Sequence, residues 1–236
     1  PPPDRPDFAV RQHELRGLFY LEVVVGEASF DDPLPMIVVL HGRGGRAQIP
    51  GGPFLGLSHP VRVIVPQAPD ALGDGWQWLP VYVGQGLVDR LSASLFQTSS
   101  RLAALIHELT VDRPTVGLPI VTGFSQGGLL SLALAVHHDD VVGFAFPLAC
   151  WLPPPIEPTY RRADLRFPPI RSMHGMADVT IPIEPTRALF ARLAGLGYDV
   201  ELVEFADVLH TISADENALF HVWLEDAVCQ TLGDSA

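Results

Sequence analysis

A serine stands between glycines in residues 123–128, whose sequence is Gly-Phe-Ser-Gln-Gly-Gly. The G-x-S-x-G spacing is typical of a nucleophile elbow, a sharp turn between a strand and a helix that exposes the serine hydroxyl. The mainly apolar residues 118–122 predict the strand, and the leucine- and alanine-rich residues 129–136 predict the helix. Because a serine hydroxyl attacks carbonyl carbons once a base removes its proton, Ser125 is predicted to be the nucleophile of an acyl transfer.

A candidate acid and a candidate base follow Ser125 in the chain order that nucleophile-elbow proteins use. Asp178 ends residues 170–178, an apolar strand pattern followed by a glycine-containing loop. His210 ends residues 200–210, an alternating strand pattern followed by a short loop. Because the carboxyl ends of parallel strands meet at one edge of a sheet, we expect the three side chains to converge there.

Other residues could compete for these two roles. His41 and His174 precede glycines at predicted strand ends, but neither follows the expected chain order, so both are expected to make structural hydrogen bonds. Asp207 shares the loop of the predicted base, and this favours Asp178 as the acid. Two histidines and two aspartates at 137–140 lack the ligand spacing of a metal site, and a solvated helix end explains them better. No metal and no cofactor is predicted.

The glycine-rich residues 41–45, His-Gly-Arg-Gly-Gly, follow an apolar strand pattern and offer backbone amides to a substrate. Acyl transfer builds negative charge on the carbonyl oxygen, and fixed N–H donors stabilise that charge. The elbow supplies one such donor from Gln126, the residue after the predicted nucleophile. The early loop also matches the dinucleotide fingerprint G-x-G-x-x-A, but the glycines and prolines of residues 48–53 exclude the helix that this alternative requires.

The chain resembles the phospholipase/carboxylesterase family of serine hydrolases, which includes acyl-protein thioesterases and small carboxylesterases. The resemblance spans most of the chain from about residue 35, and it rests on residues 40–45, 123–128, 150–153, 174–178 with 181–182, and 210. One departure lies just before the histidine, where the family has a small residue or glycine and this chain has Val208 and Leu209.

The resemblance implies an ester or thioester hydrolase with Ser125 as nucleophile, His210 as general base and Asp178 as its partner. It also implies that the amide of Arg43 is the second oxyanion donor, beside that of Gln126. A lipase, an acyltransferase or a catalytically silent binding protein of the same fold remains an alternative, because fold alone does not choose among substrates.

Strand and helix patterns alternate along the chain. Strands are predicted at 19–25, 36–40, 61–65, 120–124, 142–148, 170–174 and 200–205. Helices are predicted at 87–109, 126–137, 184–196 and 214–231. This alternation predicts the α/β class, with a mostly parallel sheet covered by helices on both faces, and the resemblance implies the α/β-hydrolase fold. A turn near residues 31–33 predicts an antiparallel hairpin at the sheet edge between the first two of these strands.

Two aromatic loops, 73–80 and 150–155, are expected near the binding crevice. Trp78 and Trp151 are therefore candidates for apolar pocket walls, and packing over the sheet ends is an equal alternative for each. Residues 71–86 lack a strong period and are a candidate lid.

The composition predicts one globular domain over residues 1–236, in which the proline-rich residues 1–7 are a flexible leader. The net charge of −12 disfavours nucleic acid and gives no attraction to anionic lipid. No apolar run approaches the roughly 20 residues of a membrane span. We therefore expect a soluble protein, cytoplasmic rather than secreted, that acts on a small-molecule or acylated substrate. Cys150 and Cys229 are expected to be two reduced, buried thiols.

Overall fold

The computed structural model describes residues 8–81 and 86–233. Residues 1–7, where the leader is predicted, lie outside the described residues. The strands in the described part are β1 (Phe8–Leu15), β2 (Leu18–Val25), β3 (Leu34–Leu40), β4 (Val61–Pro66), β5 (Asp70–Leu72), β6 (Gly75–Gln77), β7 (Thr115–Phe124), β8 (Phe144–Leu148), β9 (Ile170–Gly175) and β10 (Val200–Phe205). The α-helices are α1 (Val88–Asp112), α2 (Gln126–His137), α3 (Ile183–Gly195) and α4 (Ala214–Gly233).

Eight of these strands form one mixed sheet in the order β1-β2-β4-β3-β7-β8-β9-β10. The strands from β4 to β10 in this order pair in parallel, whereas β1 and β2 pair antiparallel at one edge. The prediction of a mostly parallel sheet with an antiparallel edge is therefore confirmed. Each predicted strand and helix is present, and α2 has the predicted bounds.

The predicted hairpin at residues 31–33 is wrong. The segment after β2 crosses the sheet instead, because β2 pairs with β4 and not with β3. Arg62 on β4 holds this crossing through hydrogen bonds to the carbonyl oxygens of Phe30 and Asp32. The edge hairpin joins β1 to β2 through Arg16 and Gly17, which have φ angles of 53° and 69°. Sequence patterns missed β1 because its side chains are mainly exposed and do not alternate between apolar and polar.

The two faces of the sheet bury separate apolar clusters. On β3, Met36, Val38 and Leu40 point into the cluster that contains side chains of α1, α2 and α3. Ile37 points to the opposite face, where the cluster includes Phe220 and other side chains of α4. This period of two is the pattern of a strand that is buried on both sides. Helices therefore cover both faces, as predicted.

The two cysteines differ in their surroundings. Cys150 is buried, and burial raises the pKa of its thiol. Cys229 is exposed on α4, so the prediction of two buried thiols is wrong for this residue. The buried stripe of α4 includes Val228, and its neighbour Cys229 points away from that stripe. Within the described residues, no helix combines the length and the apolar character needed to cross a membrane.

Candidate active site

Ser125 lies on the sharp turn between β7 and α2, at the carboxyl edge of the sheet. Its φ of 57° and ψ of −116° place it in a strained region for a residue with a side chain, at a typical cost of about 1–3 kcal/mol. The turn is fixed by hydrogen bonds from the Ser125 N–H to the Leu148 carbonyl, at 3.0 Å, and from the Leu129 N–H to the Ser125 carbonyl, at 2.9 Å. Gly127 approaches β3 so closely that a Cβ atom would overlap the carbonyl of Leu40.

A chain of hydrogen bonds joins the three predicted side chains. Nε2 of His210 lies 2.9 Å from the hydroxyl oxygen of Ser125, and Nδ1 lies 2.6 Å from Oδ2 of Asp178. An ionised carboxylate has no proton to donate, so Nδ1 carries the proton of this hydrogen bond. Nε2 is then free to accept the serine proton. The ring of Phe124 packs on the imidazole, with centroids 4.7 Å apart. The structure therefore brings together residues from three distant parts of the chain.

The loop after β9 fixes the carboxylate of Asp178. Oδ1 accepts backbone N–H groups from Thr180 at 2.8 Å and Ile181 at 2.9 Å. Oδ2 faces His210, and the Asp178 side chain is 0% exposed. The two carboxylate oxygens therefore have separate roles, since one orients the side chain and the other meets the imidazole. Sequence analysis missed the two backbone donors, since the side-chain types at their positions carry no signal for them.

The loops that carry Asp178 and His210 are hydrogen-bonded to one another. The Ala177 N–H donates to the carbonyl of Val208 at 3.0 Å. Gly175 lies so close to this carbonyl that a Cβ atom would overlap it. The side chain of Leu209 is 59% exposed. Neither Val208 nor Leu209 is among the described residues that line the cavity at Ser125, so the departure from the family pattern before the histidine leaves that cavity free.

The competing residues have other contacts. His41 lies in the glycine-rich loop, where Nδ1 donates to the Gly42 carbonyl at 2.8 Å and Nε2 accepts the Ala68 N–H at 3.1 Å. His174 is buried, and its Nε2 donates to the carbonyl of Ile181 at 2.8 Å. Burial lowers the pKa of both imidazoles. Asp207 is exposed at a turn with a φ of 58°.

The histidines at the end of α2 are not solvated as predicted. His137 Nε2 lies 2.8 Å from the carbonyl of Ile156, and His138 Nε2 lies 3.3 Å from the hydroxyl of Ser100. Phe96 packs against both rings. These contacts make the two histidines packing residues at the junction of α1 and α2. Burial lowers the pKa of each imidazole.

The glycine-rich loop after β3 is fixed by the β5–β6 hairpin. The Gly44 N–H donates to the carbonyl of Trp76, and the Trp76 N–H donates to the carbonyl of Gly45, both at 2.8 Å. These bonds add a short antiparallel bridge to the hairpin. The hairpin turns at Gly73 and Asp74, and this pair between short strand patterns is the signal that could have predicted it. The first part of the candidate lid is therefore a fixed support of the loop, and residues 82–85 lie outside the described residues.

Trp78 joins the glycine-rich loop to the elbow. Its indole Nε1–H donates to the carbonyl of His41 at 2.9 Å, and its backbone N–H donates to Oε1 of Gln126 at 3.0 Å. Nε2 of Gln126 donates in turn to the Leu79 carbonyl at 3.1 Å. The side chain of Gln126 thus joins the elbow to residues 78–79, and the indole of Trp78 joins these residues to the glycine-rich loop that carries Arg43. Sequence analysis missed this second role of Gln126.

A cavity of about 350 Å³ opens at Ser125. Its apolar lining comes from the segment after β6, from α1 and α2, and from the loop after β9: Leu79, Val81, Leu91, Leu129 and Ile181. Arg43, Gln126 and His210 also line it. Trp78 and Trp151 are not among the described lining residues: Trp78 is 2% exposed, and Trp151 packs against the core. For both tryptophans the structure favours the alternative of packing over the sheet ends.

A family model described as phospholipase/carboxylesterase matches residues 23–222 of the chain. A protein of Oryza sativa subsp. japonica named as a probable carboxylesterase is 29% identical over 126 residues, which are 51% of this chain and 47% of that protein. Acyl-protein thioesterase 1 of Gibberella zeae is 29% identical over 103 residues, which are 41% of this chain and 43% of that protein. The matches to these two curated relatives span about half of their length.

Among solved structures, the carboxylesterase of Bacillus cereus superposes with a TM-score of 0.66. The superposition covers 87% of this chain and 93% of that one, at 15% sequence identity. At this identity the likeness shows a shared fold alone.

Proposed function

The chain belongs to the phospholipase/carboxylesterase family and has the α/β-hydrolase fold, and from this premise we propose that it is a serine hydrolase. The proposed reaction is cleavage of carboxylic esters or thioesters through an acyl-serine intermediate. The observation that carries the proposal is the unbroken chain of hydrogen bonds from Ser125 through His210 to Asp178. Its order of nucleophile, base and acid is the one that acyl transfer requires.

In the proposed first step, the hydroxyl oxygen of Ser125 attacks the substrate carbonyl carbon while Nε2 of His210 takes the hydroxyl proton. The distance of 2.9 Å between these atoms suits that transfer. The carboxylate of Asp178 accepts the Nδ1–H bond and stabilises the imidazolium that forms. The imidazolium then gives its proton to the leaving alcohol or thiol, which leaves an acyl group on the serine. In the second step, water attacks this acyl group by the reverse proton path and releases the acid.

The backbone amides of Arg43 and Gln126 are the proposed donors to the carbonyl oxygen in both steps. Both residues line the cavity beside Ser125. Donors of this kind lower the barrier only when they are held in place before charge develops. The hydrogen bonds of the β5–β6 hairpin to the glycine-rich loop supply that rigidity on the Arg43 side. On the other side, Gln126 is the first residue of α2, where backbone N–H groups favour negative charge.

The cavity supports an acyl substrate with an apolar chain. Its lining is mainly apolar, and its volume of about 350 Å³ lies near the lower end of the range for small-ligand sites. A short to medium acyl chain therefore fits better than a long one. Arg43, a cationic residue, also lines this space.

The test is hydrolysis of p-nitrophenyl esters from acetate to palmitate by the wild type and by Ser125→Ala. We expect turnover with an optimum at short or medium chains, and a loss of at least about a thousandfold in the variant. Ser94→Ala, which changes a serine on α1 outside the cavity lining, is the matched control and should keep wild-type activity.

A fluorophosphonate probe distinguishes inactivity from narrow specificity. The probe should label the wild type and Ser94→Ala but not Ser125→Ala, because it reacts only with an activated serine. If the wild type neither hydrolyses any ester nor reacts with the probe, the chain is a silent member of the fold and the proposal fails. Labelling without ester turnover would instead keep the nucleophile and change the substrate class.

A further inference from the structure

A second group of reactive side chains lies away from the cavity, between α4 and the loop that precedes β4. His59 comes from the loop, and Glu225 and Cys229 come from α4, where a spacing of four residues puts them on one face. We propose that these three side chains form a binding site for a divalent transition-metal ion, with zinc as the favoured ion. The proposal is independent of the proposed hydrolase activity.

The three side chains lie close to the positions that ligands of a bound ion take. One ligand atom from each residue can be chosen so that all three lie within 4.8 Å of one another. Sγ of Cys229 lies 4.0 Å from Nδ1 of His59. Zinc bonds of about 2.3 Å to sulfur and 2.0 Å to nitrogen place such atoms about 3.5 Å apart in a tetrahedron. A small rotation of two exposed side chains therefore closes the site.

The types of ligand select the ion. A thiolate, an imidazole and a carboxylate together suit zinc, whereas calcium and magnesium require oxygen ligands. On binding, the Cys229 sulfur loses its proton to solvent and forms the bond to the metal, so the charge of the thiolate and carboxylate balances the ion. Because His59 and Cys229 are exposed, water can complete a tetrahedral shell at the fourth position.

The carboxylate of Glu225 is already held in a position that suits metal binding. It accepts the backbone N–H of Ser58 at 3.0 Å and also accepts the Ser58 hydroxyl. Ser58 is the neighbour of His59, so these bonds fix the loop against α4 where the imidazole faces the thiol. Hydrogen bonds of this kind to a ligating carboxylate orient it and commonly change metal affinity about 10- to 100-fold.

The position in the fold keeps the proposed ion away from the cavity at Ser125. The loop containing His59 leads into the amino end of β4, whereas Ser125 lies at the carboxyl ends of the parallel strands. A metal bound here would join the loop to α4 without touching the cavity. Since a ligand that binds only the folded state stabilises it, zinc should raise the melting temperature and leave ester hydrolysis unchanged.

The test is a titration of the reduced, full chain with Co²⁺, followed by competition with Zn²⁺. We expect one equivalent of Co²⁺ to produce the near-ultraviolet absorption of a cobalt–thiolate bond, and Zn²⁺ to displace it. Cys229→Ser and His59→Gln should each weaken Zn²⁺ binding at least tenfold, and Ser58→Ala should weaken it about tenfold. His107→Gln, at an exposed histidine on α1, is the matched control and should bind as the wild type does.

Two results would overturn the proposal. One is the absence of thiolate absorption in the wild type at a Co²⁺ excess. The other is Zn²⁺ binding that Cys229→Ser and His59→Gln leave unchanged, since this would assign the ion to other surface histidines. Circular dichroism of each variant checks that the fold is kept. We expect that it is, because the substitutions are conservative and lie at the surface.

Discussion

Replacing Asp178 by asparagine should disable the site through the protonation of His210 while leaving the fold intact. Oδ1 of Asp178 accepts two backbone N–H groups, from Thr180 and Ile181. In Asp178→Asn, the amide oxygen must take that position, because an NH₂ group cannot accept those bonds. The NH₂ group then faces Nδ1 of His210, at the place where Oδ2 now lies 2.6 Å away.

A donor at this position reverses the tautomer of the imidazole. Nδ1 must give up its proton to accept the N–H bond, so the proton moves to Nε2. Nε2 of His210 then donates towards Ser125 and can no longer take the serine proton. In the serine proteases that show this effect, the same change costs about 10⁴-fold in kcat. That factor is about 5.4 kcal/mol of transition-state stabilisation, at 1.36 kcal/mol per factor of ten.

The assay compares kcat and KM of Asp178→Asn with those of the wild type on the best p-nitrophenyl ester. We expect kcat to fall about 10⁴-fold with little change in KM and a melting temperature close to that of the wild type, since both backbone bonds to residue 178 persist. Asp207→Asn is the matched control, because Asp207 is exposed and its positive φ of 58° suits asparagine equally well. A kcat for Asp178→Asn within tenfold of the wild type, or a larger loss in Asp207→Asn, would refute this reasoning.

Three further predictions concern the supports of the site, its cavity and the buried histidines. Trp78→Phe removes the indole donor to the His41 carbonyl, so we expect about a tenfold loss in kcat at unchanged KM. A rise in KM with unchanged kcat would contradict this expectation. Leu91→Trp fills part of the cavity and should move the ester optimum to shorter chains; an unchanged optimum would place the acyl chain elsewhere. Burial lowers the pKa of His174 below its ordinary 6.5, so the unfolded chain binds more protons below that pH and stability falls as pH falls. The melting temperature should therefore drop between pH 7 and 5, and His174→Gln should flatten that drop, as thermal scans over this range would show.

The strands and helices that surround the site were predictable because each carries a strong local pattern. The apolar run before Ser125 predicts β7, and the leucine-rich segment after it predicts α2. The proximity of Ser125, Asp178 and His210 could be predicted for a similar reason. Each residue follows a strand pattern, and the carboxyl ends of parallel strands lie at the same sheet edge.

The remaining features depend on contacts that no local pattern records. The pairing of β2 with β4 is set by long-range burial, in which Arg62 and Glu22 form an ion pair at 2.9 Å inside the sheet. The role of Trp78 depends on which carbonyl its indole meets, and a tryptophan in a loop is equally compatible with a pocket wall. Local sequence patterns therefore predicted the buried strands and the helices, but not the exposed strand β1, the β5–β6 hairpin or the hydrogen bonds between loops.

The parallel pairing of β7, β8, β9 and β10 has a consequence for how activity appears during folding. The hydrogen bond between Ser125 and His210 spans 85 positions of sequence and that between His210 and Asp178 spans 32. Such non-local pairings form late and slowly, because the entropy cost of closing the loop comes before the stabilising contacts form. Refolding chains should therefore regain helical circular dichroism before they regain the proposed hydrolase activity, so that an assay of this activity would report completion of the sheet.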